Sequence, residues 1–519
     1  MKIWKKILLY STTLIFCIMP AIYNYVYGKD IGINYVINSI IFAIPISIFI
    51  VNIPYKIGQL LFVFFISICN IANITLLAAH GSFINISEIR AVIGANPIET
   101  SGLGAYIIAN FKWHILLEVV FLIGLSMQII WTPIIYKRHL LVGALITGSV
   151  IFLILEFTSF STIRYEPYQF SKQLLDLLEE RLTRISMLSS DNLSYGAKQK
   201  DGNAEGTFCV LAIGESLNYE HFSLNNKYHR NTTPNLAKED NIILYQDYFS
   251  TALFTAKSVP MILNMQSPTN YNEHYYYQGI GGAFQEIDYK SYLVSHTEQL
   301  MHTDAYQYLT TSFDSIIWVS ADADIPNQLG AIARTENNVF VVLHFLGNHM
   351  MYDNYPPEFE IFTPSYTTSS KSNQDSLLVN AYNNSILYTD FILSECVKCI
   401  KNAKKKGSLI FVSDHGEYID AKTAYHGFRD TISPSEYHVP LMVWYSDEYA
   451  AAYPDKVANM IKHKDEPVCG DHVFWSVLDM AGIEIDSTMQ EEGMSIFGDS
   501  LRPHQRTLLL PDGKTIMKL

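Results

Sequence analysis

The sequence predicts a helical membrane domain of five spans followed by an α/β domain on a mostly parallel central sheet. Three observations lead there. Long apolar stretches crowd the first 160 residues, short β-branched runs alternate with helical segments from Phe208 onward, and the charge changes sign between the two parts. With 519 residues, 49% of them hydrophobic, the chain is too long for one domain and too apolar for a purely soluble one.

The apolar stretches fall at about 7–27, 32–51, 57–79, 115–136 and 140–160. Each is close to the roughly 20 residues a helix needs to cross a hydrocarbon core of about 30 Å. The first has the length of a signal peptide, but four further spans follow it, so it reads as a retained helix. Lys2, Lys5 and Lys6 before the first span, Lys56 between the second and third, and Lys137 and Arg138 between the fourth and fifth share one side in a consistent threading. Basic residues mark the cytoplasmic side, so five spans carry everything after residue 160 outside. Lys29, Arg90 and Lys112 fall on the outer side without reversing the bias. The outer loop 80–114, with its Asn96–Thr100 segment, suits either a helix lying at the membrane surface or a plain connector.

Residues 169–187 set leucines at helical spacing among charges, which predicts an amphipathic helix, and 188–207 are polar and reads as a linker. The domain reading is therefore 1–160 transmembrane, 161–207 helix and linker, and 208–519 soluble domain. Residues 1–160 hold nine Lys/Arg against five Asp/Glu, and the remainder 27 against 45. So acidic a soluble part argues against nucleic acid as a partner, because phosphate backbones call for basic surfaces. Six cysteines in this length do not make a disulfide scaffold.

Candidate strands of the soluble domain are 208–213, 242–250, 291–296, 338–347, 408–414 and 438–446, with a long helix over 376–402. In such folds, ligands sit beyond the carboxyl ends of the strands. The polar groups gather there: Gly214-Glu215-Ser216 after the first run, His344 and His349 at the fourth, Ser413 to Glu417 after the fifth, then His426-Gly427. A carboxylate, an Asp-His pair and further histidines suit a metal such as zinc, which accepts oxygen and imidazole. Asp414 and His415 are adjacent, so both reach one metal only where the chain turns off a strand end, and Gly416 suits such a turn.

Each residue has a plainer alternative. Glu215 suits the first turn of a helix, and His344, inside an apolar run, reads better as a core histidine. His349, which follows Gly347, and His426, which precedes Gly427, are better site candidates. Thr251, Thr255, Ser258 and Ser216 are all hydroxyls that a nearby metal could activate as nucleophiles, and spacing alone does not choose among them.

Taken in order, Gly-Glu-Ser at 214, Thr-Thr-Pro at 232, Thr-Ala-Lys-Ser-Val-Pro at 255, Gly-Asn-His at 347, Ser-Asp-His-Gly-Glu at 413, His-Gly at 426 and Val-Pro at 439 resemble the phosphoethanolamine transferases, including the lipid A enzymes behind polymyxin resistance. The resemblance covers essentially the whole chain. It implies a soluble domain of the alkaline phosphatase/sulfatase type on five spans, in the bacterial inner membrane with the catalytic domain in the periplasm. It implies one zinc ion, with room for a second, held by Glu215, Thr255, Asp414 and His415. Thr255 matches the family's nucleophile, and His349 and His426 match histidines that contact the substrate phosphate or a second zinc. Asn380, Tyr382 and Asp390 match the family's long-helix motif, with a structural role. The implied donor is phosphatidylethanolamine and the implied acceptor lipid A or the lipopolysaccharide core, met among membrane lipids.

The chain departs from the pattern in three places. Thr251 and Met261 stand where the lipid A branch has a cysteine pair, and Gly104 stands where an outer-loop Glu is expected. Cys396 and Cys399 are one helical turn apart, a strained geometry for a disulfide, and read as free thiols. Among other readings, a polyglycerolphosphate synthase-like transferase would use phosphatidylglycerol. A sulfatase would need a Cys/Ser-x-Pro-x-Arg sequence, whereas Ser258-Val-Pro260 is followed by Met261-Ile262. A scaffold without catalysis would have no use for the complete set of ligand residues.

Overall fold

The computed structural model describes residues 3–27, 33–80, 97–157, 171, 174–175, 178, 194–200, 205–271, 279–297, 310, 312–350, 352–365, 377–421, 423–427, 432–502, 505–510 and 515–519. They form two compact units, one within Met1–Glu180 and one within Arg181–Gly427 and Thr431–Leu519. Most of the surface helix expected over 169–187, much of the linker expected over 188–207, and the loop stretch 81–96 with Asn96 lie outside the described residues.

The first unit is helical: α1 (Ile3–Tyr27), α2 (Ile33–Asn52), α3 (Lys56–His80), α4 (Pro97–Trp131) and α5 (Arg138–Phe157). Leu9, Phe16, Ala43, Val63, Ile66, Leu125 and Ile129 pack inward, while Leu8, Ile15, Leu61, Phe64, Leu117 and Val120 are exposed. Helices apolar on both faces suit a lipid surrounding. Among the described residues, Lys112–Trp131 is long and apolar enough to cross a membrane, and Ile40–Asn52, Lys56–Ala72 and Arg138–Val150 are shorter apolar helical stretches. Polar pairs tie the helices together: Asn70 Nδ2 donates to Glu118 Oε1 at 3.0 Å, and Asn52 Nδ2 to the Tyr10 hydroxyl at 2.7 Å. Residues 97–114, expected as part of an outer loop, are helical and make the first half of α4. Pro97 opens that helix, where its missing N–H costs nothing.

The second unit is built on a seven-stranded sheet: β1 (Thr207–Gly214), β2 (Ile242–Tyr245), β3 (Lys290–Ser295), β4 (Ser315–Trp318), β5 (Val339–His344), β6 (Lys406–Ser413) and β7 (Leu441–Tyr445). Their order is β2-β7-β6-β1-β5-β3-β4. The sheet is mixed. β1 runs parallel to β5 and β6, and β3 parallel to β4 and β5, whereas β7 runs against both β2 and β6. The reversal has a local cause. The described residues between β6 and β7 return to the carboxyl edge of β6, where Gly416 N donates to the Glu436 carbonyl at 2.9 Å and Ser413 N to the Pro440 carbonyl at 3.2 Å, and antiparallel neighbours permit that. β4, a four-residue edge strand with half-buried residues, is absent from the strands the sequence suggests.

Side chains alternate along β1, so Cys209, Leu211 and Ile213 enter one core and Phe208, Val210 and Ala212 the other. The first core takes α6 (Thr255–Leu263), α7 (Ile280–Gln285) and, through Val473, Val477 and Met480, a C-terminal helix. The second takes α8 (Ile325–Thr335) and α9 (Leu377–Asn402). Each aliphatic side chain sealed this way contributes about 1.5–3 kcal/mol, which fixes β1 as the axis of the unit. Register then aligns the strand ends: Gly214 faces Ser413, Ile213 faces His344, and Ser295 faces His344. Whatever follows these residues is therefore delivered to one edge.

Met261 packs with Ala252, Tyr271 and Leu509 in a small buried cluster, an apolar contact at one of the two positions where the resemblance leads to a disulfide. Cys209, Cys396 and Cys469 are buried, Cys399 is half-buried, and none of the four is in a disulfide.

Candidate metal centre and active site

Each predicted ligand arrives from a strand end. After Gly214 the chain turns sharply: Ser216 has φ +57°, a left-handed conformation rarely held by a non-glycine residue. The turn is tied down from both sides. Ser216 Oγ donates to Glu215 Oε1 at 2.8 Å, and Leu217 N donates to Ser413 Oγ at 2.9 Å. The Tyr382 hydroxyl, from α9, donates to the Ser216 carbonyl at 2.7 Å and accepts from Asn218 N at 2.9 Å. Glu215 thus ends a strand and does not cap a helix. Tyr382→Phe removes both bonds and strands a buried amide. We expect it to destabilise the unit by about 1–3 kcal/mol and to loosen Glu215, read as a lower melting temperature together with weaker metal retention.

Asp414 and His415 follow β6. Gly416 has ordinary negative φ, and its role is close approach: a Cβ there would lie 2.1 Å from the Ser435 carbonyl oxygen. His415 Nε2 lies 3.0 Å from Glu215 Oε1 and 3.6 Å from Asp414 Oδ2. Its Nδ1 donates to the Gly416 carbonyl at 3.0 Å, which turns Nε2 toward the carboxylates. Asp414 Oδ2 is a buried acceptor without a hydrogen-bond partner. Glu215, Asp414 and His415 are all buried, with ligand atoms within 4.8 Å of one another.

The four candidate hydroxyls now separate. Ser258 Oγ donates to the Asp414 carbonyl, Ser216 Oγ is spent on Glu215, and Thr251 is buried beside Gly470. Thr255 Oγ1 donates to Glu215 Oε2 at 2.8 Å and lies 3.4 Å from His415 Nε2. Thr255 is the first residue of α6, where backbone N–H groups favour negative charge.

The electrostatics are those of charges forced together. Burial alone would raise the Glu215 carboxyl, but the His415 imidazolium in contact with it and the nearby His349 hold it well below the usual range. Burial raises Asp414, the Glu215 charge raises it further, and His415 and the Thr255 hydroxyl only partly oppose this. Burial disfavours charge on His415, yet Asp414 and Glu215 outweigh it and push that imidazole up to about 10. Two carboxylates, an imidazole and a hydroxyl around an orphaned Asp414 oxygen make a donor set that a divalent zinc ion would satisfy.

His426 sits with its ring 4.3 Å from that of His415, and its Nδ1 is 3.0 Å from Glu417 Oε2. Glu436 accepts from Gly427 N at 2.7 Å and so holds the His426 loop, and burial pushes its carboxyl up to about 7. His349 belongs to a turn whose Asn348 N donates to the Glu215 carbonyl at 3.1 Å. His344 is a core residue: fully buried, its Nδ1 2.7 Å from Thr297 Oγ1, and pushed down to about 4 by burial. Asp390 accepts from Asn235 N and Leu236 N, both at 2.9 Å, and fastens the Thr-Thr-Pro loop to α9.

Sequence reasoning gave Glu417 and Glu436 no role. Glu417's only signal is its place two residues after His415. A second cluster of ligand-type residues, Cys469, Asp471 and His472, closes on itself: Cys469 Sγ donates to Asp471 Oδ1 at 2.9 Å, and Cys469 N to His472 Nδ1 at 3.2 Å.

The phosphoethanolamine transferase EptA of Escherichia coli strain K12 is 27% identical over 306 residues, covering 53% of this chain and 53% of that protein. The chain spans about half the length of the curated relatives it matches. The integral membrane lipooligosaccharide phosphoethanolamine transferase A (EptA) from Neisseria meningitidis shares the fold at a TM-score of 0.71 and 16% identity, over 96% of this chain and 98% of that one. The periplasmic domain of EcEptC from Escherichia coli, solved in complex with Zn, matches 62% of this chain and 93% of its own at a TM-score of 0.54 and 20% identity. The sulfatase family matches residues 207–483, more than half of the sequence, and the chain belongs to that family.

Proposed function

We propose that the chain is a zinc-dependent phosphoethanolamine transferase of the bacterial inner membrane. It moves phosphoethanolamine from phosphatidylethanolamine to lipid A or the lipopolysaccharide core through a covalent intermediate on Thr255. The observation that carries this reading is the Thr255 hydroxyl, donating to Glu215 within reach of His415 at the start of a helix. The domain layout is residues 1–160 crossing the membrane five times, 161–207 joining, and 208–519 acting in the periplasm. A membrane anchor suits a donor that stays in the bilayer.

Glu215, Asp414, His415 and Thr255 would hold one zinc ion. When bound, the metal supplies positive charge that makes the Thr255 hydroxyl easier to deprotonate and steadies phosphate oxygens. Thr255 Oγ, its proton lost to solvent, attacks phosphorus, the bond to the diacylglycerol oxygen breaks, and diacylglycerol departs with a proton from His426. His426 is held through Nδ1 by Glu417, which leaves Nε2 to carry that proton. His349 offers its imidazole to the phosphate oxygens, and the α6 N-terminus adds its amides. In the second half-reaction an acceptor oxygen attacks the phosphothreonine, His426 takes its proton, and Thr255 is regenerated.

The test supplies membranes containing the chain with phosphatidylethanolamine or phosphatidylglycerol, each labelled in its headgroup. We expect label from the first to reach lipid A or lipopolysaccharide. Label passing only from phosphatidylglycerol, or from neither, would overturn the reading.

A further inference from the structure

Behind His349 lies a buried acid that the mechanism above does not use. Asp322 begins a short 3₁₀ turn (Asp322–Asp324) just after edge strand β4, and it is 5% exposed. Its carboxylate accepts three hydrogen bonds. Leu346 N donates to Oδ1 at 3.0 Å, Gly347 N to Oδ2 at 2.9 Å, and His296 Nδ1 lies 3.0 Å from Oδ1. The two amides are consecutive, and consecutive N–H groups aimed one way form a small anion-binding nest. Asp322 is the anion that fills it.

The turn so held runs from Leu346 to His349. Gly347 takes φ +51°, and a Cβ there would lie 3.2 Å from Glu215 N, so the turn rests directly on the backbone of Glu215. Asn348 N donates to the Glu215 carbonyl at 3.1 Å, Asn348 Nδ2 to Ser385 Oγ at 2.7 Å, and His349 N to the Leu346 carbonyl at 3.2 Å. Among the described residues, the turn is also held by Glu215, by α9 and by Tyr352, whose N donates to the His349 carbonyl at 3.2 Å. Asp322 ties the turn to the far side of the sheet, where β3 and β4 end.

We propose that Asp322 is the positioning residue for His349: by binding the Leu346 and Gly347 amides it sets where the His349 imidazole stands relative to Glu215. The inference rests on the proposed function only in giving His349 a substrate phosphate to meet. A carboxylate accepts from both amides at once. An Asn carboxamide in the same place accepts with one atom and turns N–H against N–H with the other. Asp322→Asn is therefore nearly isosteric and disrupts the one feature that matters.

The experiment uses the full-length chain in membranes with Asp322→Asn, His349→Ala and the double variant. Two readouts are taken: the turnover rate for phosphoethanolamine transfer, and the rate at which diethyl pyrocarbonate modifies each histidine, followed by mass spectrometry. Asp322→Asn is expected to lower kcat by about 10- to 100-fold, with the donor KM and zinc content unchanged. The double variant should be no slower than His349→Ala alone, as for residues acting through one another. His349 should change its modification rate by several-fold while His426 keeps its own. Unchanged His349 reactivity in Asp322→Asn, or losses that multiply in the double variant, would overturn the proposal. The labelling readout needs no turnover. Should Thr255→Ala transfer as well as the parent, the functional reading fails while the clamp is still judged.

Discussion

Thr255→Ala is expected to abolish phosphoethanolamine transfer, lowering turnover on the order of 10⁴-fold or more, as loss of a covalent nucleophile does elsewhere. Two further hydroxyls lie close by, so the size of the effect tests the geometry. Ser258 cannot substitute, because its hydroxyl is engaged with the Asp414 carbonyl. Ser216 cannot either, because it is fully buried in the turn after β1, whereas Thr255 is half-buried at the start of α6. Only Thr255 combines contact with Glu215 and His415 with the start of α6. Rapid quenching with labelled donor should trap a phosphoethanolamine adduct on the peptide containing Thr255 in the parent and none in the variant. Glu215, Asp414 and His415 stay in place, so the variant should still bind zinc, though more weakly. Transfer at the parental rate, or an adduct on another residue, would remove Thr255 from its role.

How legible the site was depends on how far each residue's role reaches beyond its own strand. β1 stands out because its whole length is buried on both faces, which writes an unbroken apolar run into the sequence. Glu215, Asp414 and His415 follow such runs directly, so an α/β reading alone brings them to one edge. β4 carries no such signal: Ser315–Trp318 is short, half buried and at the sheet edge. Over residues 97–114 the sequence left a helix and a plain connector equally open, because glycines and polar residues break the hydropathy but not the helix. Asp322 is one acid in an Asp-Ala-Asp stretch, and nothing local separates it from a solvated surface charge. Its role appears only once register puts the ends of β3 and β5 side by side. Tyr382 is similar: the resemblance gives it only a structural role, while its hydroxyl supports the turn after Glu215. The choice among four hydroxyls was likewise closed to spacing and open to geometry.

Zinc affinity is expected to fall steeply as the solution is made acid, and the sign follows from which protons the ion must displace. In the metal-free site His415 is held up at about 10 by Asp414 and Glu215, so at neutral pH its imidazole carries a proton on the face a metal needs. The ion can be ligated only by the deprotonated ring, so each zinc bound below that pH expels one proton. Apparent affinity then drops about tenfold per pH unit, or about a hundredfold from pH 8 to pH 6, from His415 alone. Asp414 adds a second proton as the pH falls through its raised range, above that of an ordinary carboxylate, and the dependence steepens there. Glu215 contributes nothing until far more acid conditions, because its contact with His415 keeps it ionised. The measurement is a competition with a chromophoric chelator at several pH values, corrected for the chelator's own protonation. His415→Ala should bind zinc more weakly throughout and lose the slope between neutral pH and 10. An affinity flat from pH 6 to 9 in the parent would mean that zinc is bound elsewhere, and the strand-end cluster would lose its place as the metal centre.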